Sequence, residues 1–338
     1  MIGRYHPAMS VPPAPWPRFR LFETPSPLAP LPRFSAAVGH GAEIWIKRED
    51  LLPLAFGGNK LRNLEFLVGA ALEDGVDTLV TSGRRWSNHC RLTAAAGARA
   101  GLAVEVVLSG PPVDPPGPGV RLMTALGATV HQLPTADRAA REAVVGRVAA
   151  EITARGGRPY VIDVGGSGVL GAYGQYLAGH ELFDQADALS LSVDVIVVPS
   201  ATGGTQAGLI AAAAGRSPGT RVAGVIVARP ASELRPTIGS MVRGLAGIVA
   251  TDPALAHDAD VAIDLDESQL GDGYGRPTAA AAEAAELQAQ TEGIHTDPIY
   301  TAKALAGLVA AVRSGAWDGR RILFWHAGGL PGIFEPLD

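Results

Sequence analysis

From Ile44 onward the chain alternates short apolar runs with longer amphipathic ones. IWIK, from Ile44 to Lys47, reads as a strand. In LRNLEFLVGAALEDG the residues Leu61, Leu64, Leu67, Ala71 and Leu72 recur at helical spacing. The pattern predicts a strand over Asp77 to Gly83, a helix through Thr93 to Ala100, a strand AVEVVLSG ending at Gly110, and a helix around Leu122. Strand TVHQL, an Ala-rich helix from about Ala136 to Ala154, and strand YVIDVGG come next. VDVIVVPS, a Gly-rich loop, helix TQAGLIAAAAG and strand RVAGVIVA continue the series. Strands this uniformly apolar are buried on both faces, as in a parallel sheet with helices on each side, so the fold class is α/β. A closed eight-stranded barrel ranks second, because the helical segments are uneven and the stretch from Thr251 to Pro277 breaks the rhythm. The segment DESQLGDGYGRPT reads as a loop before helix TAAAAEAAELQAQTEG. The first forty residues, rich in Pro and Arg, read as an extended arm on the surface.

Composition narrows the function classes. The 338 residues carry 28 Lys and Arg against 33 Asp and Glu, a net charge of −5, which argues against a nucleic-acid partner held by bulk charge. Length suggests about two domains with a cleft between them. The single cysteine, Cys90, cannot form an internal disulfide, and a reducing, cytoplasmic setting is expected. No segment offers the ~20 apolar residues of a membrane helix. No metal-ligand pattern and no G-x-S-x-G elbow occur, so no metal is expected.

Three local patterns carry chemistry. In KREDLLPLAFGGNKLRNLEF, Gly57 and Gly58 precede a lysine, Lys60, that opens a helix. The positive end of the helix dipole disfavours the ammonium there and suits the amine to Schiff-base formation, although a solvated lysine beside a turn is the plain alternative. In TSGRRWSNHC, Ser87, Asn88 and His89 follow a strand at a helix start, where hydroxyl, amide and backbone N–H groups converge on an anion. Ser87 or Asn88 could equally be a plain helix cap. In ATGGTQAG, Thr202, Gly203, Gly204 and Thr205 offer hydroxyls and unhindered N–H groups to a phosphate, or simply a closely packed helix start. Tyr274, Tyr300 and His326 are weaker candidates, each with a structural alternative: packing tyrosines and a satisfied core histidine.

Taken in order, these blocks resemble the pyridoxal-phosphate-dependent family that contains D-cysteine desulfhydrase and 1-aminocyclopropane-1-carboxylate deaminase. The matching blocks are KREDLLPLAFGGNKLRNLEF, SGRRWSNH, the GGS of 165–167, ATGGTQAG, DPIYTAKALAGL and HAGG. The resemblance implies a two-domain, tryptophan-synthase-β-like fold (fold type II) with parallel sheets flanked by helices. It implies a smaller domain over 62–163 and a larger cofactor-binding one over 1–61 and 164–338. It implies that Lys60 carries pyridoxal phosphate, Asn88 bonds its ring hydroxyl, and Thr202, Gly203, Gly204 and Thr205 hold its phosphate. Ser87, Asn88 and His89 would orient the carboxylate of a small amino-acid substrate, with Tyr274 and Tyr300 on the substrate side. The implied reaction is Cα deprotonation and β-elimination, in a protein that is commonly a homodimer.

Three departures qualify this. Thr301 stands where ring-opening deaminases carry Glu beside the pyridine nitrogen, which makes ring opening the less favoured activity. HAGG replaces the common HTGG, so Ala327 removes a hydroxyl near that nitrogen and leaves Thr301 or water to substitute. Trp86 replaces a usual Gln and is expected to reshape the substrate pocket. With Arg84 and Arg85 beside it, a larger or more acidic substrate is the alternative. A replacement reaction, or a relative that binds without turnover, also stays open.

Overall fold

A computed structural model describes residues 15–249 and 262–337. The chain runs β1 (Leu28–Pro30), α1 (Pro32–Val38), β2 (Glu43–Arg48), α2 (Lys60–Glu73), β3 (Thr78–Arg84), α3 (Asn88–Ala100), β4 (Ala103–Ser109) and α4 (Pro118–Ala125). It continues β5 (Thr129–Gln132), α5 (Arg138–Ala154), β6 (Pro159–Ile162), α6 (Val169–Ala188), β7 (Val195–Ser200), α7 (Gly204–Arg216) and β8 (Arg221–Ile226). The last elements are α8 (Ala231–Ala246), β9 (Asp264–Asp266), α9 (Ala279–Glu292), α10 (Thr301–Arg313) and β10 (Arg321–His326).

The strands form two open sheets, ordered β1-β2-β10-β7-β8-β9 and β5-β4-β3-β6, and every pairing is parallel except β1 with β2. The closed barrel is thereby excluded. Alternation along the central strands divides the larger sheet between two cores. Ile196, Val198, Leu323 and Trp325 face Tyr173 of α6, Leu209 of α7 and Val242 of α8. Val195, Val197 and Phe324 face Phe34 of α1, Ala281 of α9 and Leu305 of α10. In the smaller sheet Leu79, Val104 and Val106 pack with Leu61, Leu64 and Leu92, while Val80 and Val107 meet Val148 and Ile152 of α5.

The α/β alternation agrees with the sequence reading; the edges differ. The arm expected over the first forty residues contains β1 and α1, and residues 1–14 lie outside the described residues. Pro32 starts α1 at a position where its missing N–H costs nothing, and Phe34 and Val38, one turn apart, are buried. Leu72, expected on the buried face of α2, is 37% exposed. Of the stretch from Thr251 to Pro277, residues 251–261 lie outside the described residues; beyond them, β9 adds an edge strand that pairs with β8.

Candidate active site

The carboxyl ends of β3, β7, β8 and β10 converge with the start of α2 on a cleft of about 400 Å³. In open α/β sheets this is where ligands sit. Two loops are clasped at its floor. The N–H of Asn59 donates to the Ala327 carbonyl (3.0 Å), and a Cβ on Gly328 would lie 2.6 Å from Gly58 Cα, so only glycine permits the approach. A buried ionic network fixes α2 below. Arg62 donates to Glu49 (2.8 and 2.9 Å) and to Glu181 (2.6 and 2.8 Å), and Lys47 also donates to Glu181 (2.7 Å).

Lys60 is the first residue of α2 and lines the cleft. Among the described residues nothing pairs with its amine, and loss of water lowers its pKa from 10.5 to about 8. Across the cleft, Ser87 caps α3 by accepting from the Cys90 N–H (3.2 Å), which leaves its hydroxyl proton to donate. Asn88 accepts from Arg91 Nη2 at 3.2 Å through Oδ1 and keeps its amide N–H₂ for a ligand.

His89 lines the cleft too, but its chemistry differs from the expected role. Thr81 Oγ1 donates to the Ile162 carbonyl (2.8 Å) and so accepts from His89 Nε2 (2.9 Å). Nδ1 is then a bare acceptor, buried without a partner among the described residues. Burial, then the charge of Lys60, pushes the imidazole pKa down to about 3. A neutral ring offering only a lone pair cannot donate to a carboxylate. Cys90 is held as a thiol by burial that pushes it up to about 12.

At the opposite end, Thr202, Gly203, Gly204 and Thr205 form the loop into α7 and all line the cleft. Gly203 adopts φ +83°, a left-handed conformation that favours glycine, and a side chain there would strike Ile238. Asn59 Nδ2 donates to Thr205 Oγ1 (2.8 Å), and Thr202 shares a 2.5 Å hydroxyl bond with Ser167. Each arrangement fixes a threonine with hydrogen-bonding capacity to spare. Asn59 and Ser167 were not singled out for these roles by the sequence reading.

Tyr274 and Tyr300 line the cleft and are hydrogen-bonded to each other through their hydroxyls. Burial raises both phenols above their ordinary 10, Tyr300 the more, so both stay protonated at neutral pH. The structure departs from expectation at two further residues. Trp86 is not on the cleft wall: it backs Tyr274 edge-on (5.9 Å) with Arg84 and Arg85 over its ring, so it sets a tyrosine's position rather than narrowing the pocket. Thr301 is fully buried, and its hydroxyl is engaged with Asp297 (3.3 Å to Oδ2) and with the Asp297 N–H (2.9 Å), so it does not reach the cleft. Asp297, whose pKa burial raises to about 7, also accepts from the Tyr300 N–H (2.8 Å). His326 is the satisfied core histidine, bonded to the His295 carbonyl (2.8 Å).

The residues present fit pyridoxal phosphate. An unpaired amine of lowered pKa stands at one end, a cradle that any Cβ at Gly203 would disrupt at the other, and the free Asn88 amide also lines the cleft. The wall also carries Arg138, Arg141, Arg229 and Glu233, which the sequence reading passed over.

Comparison with known proteins agrees with this chemistry. The family described as pyridoxal-phosphate dependent enzyme matches residues 19–328. A D-cysteine desulfhydrase of Salmonella choleraesuis (strain SC-B67) is 40% identical over 326 residues, covering 94% of this chain and 96% of the relative. One from Salmonella typhi is 39% identical over 325 residues, covering 94% and 96%. Among solved structures, an ACC deaminase homologue superposes with a TM-score of 0.85 at 31% identity, covering 95% of this chain and 94% of the other. The processed form of threonine deaminase isoform 2 from Solanum lycopersicum shares the fold, with a TM-score of 0.63 at 20% identity and coverage of 90% and 79%.

Proposed function

The chain belongs to the pyridoxal-phosphate dependent enzyme family, and from that premise we propose that its cleft performs β-elimination on a small amino acid, as a D-cysteine desulfhydrase does. The observation that carries this is the isolated Lys60 amine facing a cleft whose far end is an oxyanion cradle. Pyridoxal phosphate, when bound, supplies an aldehyde that condenses with amines and a ring that takes up the electron pair released at Cα.

The chain's own groups supply the rest. Thr202, Thr205 and the N–H groups at the start of α7 hold a phosphate, and Asn88 donates to a ring hydroxyl. Ser87 and the first N–H groups of α3 orient the substrate carboxylate. A Lys60 amine that is partly uncharged near neutral pH accepts the Cα proton. The paired Tyr274 and Tyr300 hydroxyls hold a proton for a departing β substituent. Pyruvate, ammonia and the leaving group are the products. Ring opening of a cyclopropane is the subordinate activity, because Ala327 brings no hydroxyl to the wall and that of Thr301 is occupied by Asp297.

The division into a smaller domain (62–163) and a larger remainder is supported by the strands: β3 to β6 all fall inside that range and the other six outside it. Homodimer formation is supported by exposed Leu51, Phe56 and Phe334, carried by the segments that meet at Gly58 and Gly328. Size-exclusion chromatography with light scattering checks it. A buried lone cysteine fits a reducing, cytoplasmic compartment.

The test of function is direct. Purified protein is expected to be yellow, to be bleached by borohydride, and to release pyruvate and ammonia from members of a D- and L-amino-acid panel that includes D-cysteine. Lys60→Ala abolishes the absorbance and the release. A yellow protein that turns over no member would instead be a binding relative.

A further inference from the structure

The cleft wall is strongly unbalanced in charge. Among the described residues, Lys60, Arg84, Arg138, Arg141 and Arg229 line it against one carboxylate, Glu233. A cofactor phosphate and a substrate carboxylate would offset much of this excess, so where each arginine sits matters more than the count.

Arg141 is the most informative. It falls on the same face of α5 as Val148 and Ile152, and it is 8% exposed where those are core residues. Among the described residues its guanidinium makes one long bond, from Nη1 to Ser109 Oγ (3.4 Å), and its Nε is buried with no partner. No carboxylate pairs with it among the described residues. A buried cation without a counter-charge is costly unless a ligand supplies one.

Arg229, just beyond β8, is half-buried and likewise makes no ion pair with a described residue. Its pKa is lowered, first by desolvation and then by the charges of Arg138 and Arg141, so the three guanidinium groups crowd one region. The acids in reach are Glu142 and Glu233, and both face Arg138, at 3.0 and 3.9 Å. They offset part of the cluster and leave Arg141 and Arg229 in excess.

We propose that Arg141 and Arg229 receive a negative charge carried on the β substituent of the substrate, making the preferred substrate a small amino acid with a β-oxyanion group such as a sulfonate, sulfate or phosphate. This rests on reading the cleft as a β-elimination site. Its chemistry balances without an oxidant or reductant. The Cα–H bond breaks and the proton passes to Lys60, the Cα–Cβ double bond forms, and the bond from Cβ to the substituent breaks with its electron pair leaving on the oxyanion. One water then converts the released enamine to pyruvate and ammonia. Guanidinium groups suit this anion, because their planar donors pair with its oxygens at fixed geometry.

The test compares serine O-sulfate with neutral β-chloroalanine, both enantiomers of each, on the holoenzyme and on Arg141→Gln and Arg229→Gln. Melting temperature and visible absorbance report folding and cofactor content. The wild type is expected to favour the sulfate in kcat/KM by at least about tenfold, and each variant to lower the sulfate-to-chloride ratio by roughly 30-fold or more. A wild type that prefers β-chloroalanine overturns the proposal, as does a ratio unmoved in a folded variant. Variants that lose the cofactor instead would assign the arginines to its phosphate and also overturn it.

If neither compound is turned over, the elimination reading fails. Calorimetry with 2-methylaspartate and 2-methylserine, which have no Cα proton to lose, then decides the anion site. Tighter binding of the aspartate analogue that disappears in Arg229→Gln supports it, and equal binding overturns it.

Discussion

Lowering the Lys60 amine from 10.5 to about 8 changes how much of it is uncharged at working pH. At pH 7 roughly 9% is neutral, against roughly 0.03% for an unshifted lysine, about a 300-fold gain in nucleophile. The cause is desolvation, so the gain belongs to the folded apoprotein and vanishes on unfolding. The chain has three lysines, Lys47, Lys60 and Lys303. Lys47 donates to Glu181, Gln185 and the Ser26 carbonyl, and Lys303 to the carbonyls of Leu270 and Gly273, so among the described residues Lys60 alone has an unengaged amine. Cofactor-free protein is pulsed with trace acetic anhydride from pH 6 to 10, and acetylation at each lysine is read by peptide mass spectrometry against a free-amine standard. Lys60 is expected to acetylate with a midpoint near 8, rising with pH as the proton is lost, and to lose this midpoint in urea. The rate of cofactor loading should follow the same curve. A Lys60 midpoint above about 9.5 in the folded protein would refute the desolvation reasoning.

Arg62→Met leaves Glu49 and Glu181 with less counter-charge inside the protein, and urea unfolding should show a loss of about 3–5 kcal/mol; a loss below about 1 kcal/mol would mean that water or protonation relieves the site. Thr205→Val removes a hydroxyl from the cradle, and a hydrogen bond to a charged group at about 1.5–3 kcal/mol implies cofactor retention weakened roughly 10- to 150-fold, measured by fluorescence titration. Tyr300→Phe removes one member of the proton-holding pair. Its kcat should fall about 100-fold or more with D-cysteine but much less with β-chloroalanine, whose chloride needs no proton, and an equal fall with both would assign the pair to positioning.

How much of this was legible in the sequence depended on whether a feature is local. β3, β4, β7 and β10 stand out as apolar runs because both faces of each are covered. β5 and β6 lie at sheet edges, are only partly buried, and were recognisable by position more than by pattern. Lys60, Ser87, Asn88 and the loop from Thr202 to Thr205 could be found because each sits at a helix start where short-range chemistry declares itself. Thr301 was misplaced for the opposite reason. Its hydroxyl has a local competitor, Asp297, four residues earlier, and a side chain so close in sequence claims it before any ligand can. The tautomer of His89 was illegible because it is set by the Ile162 carbonyl, brought near only when β3 and β6 pair. Arg141 did leave a signal. It precedes Val148 and Ile152 by seven and eleven residues on one helix face, so an arginine occupies a position that the helical period reserves for the interior. A charge at a core position of an otherwise ordinary helix is a demand for a counter-charge, and where the folded chain supplies none the counter-charge is the ligand's.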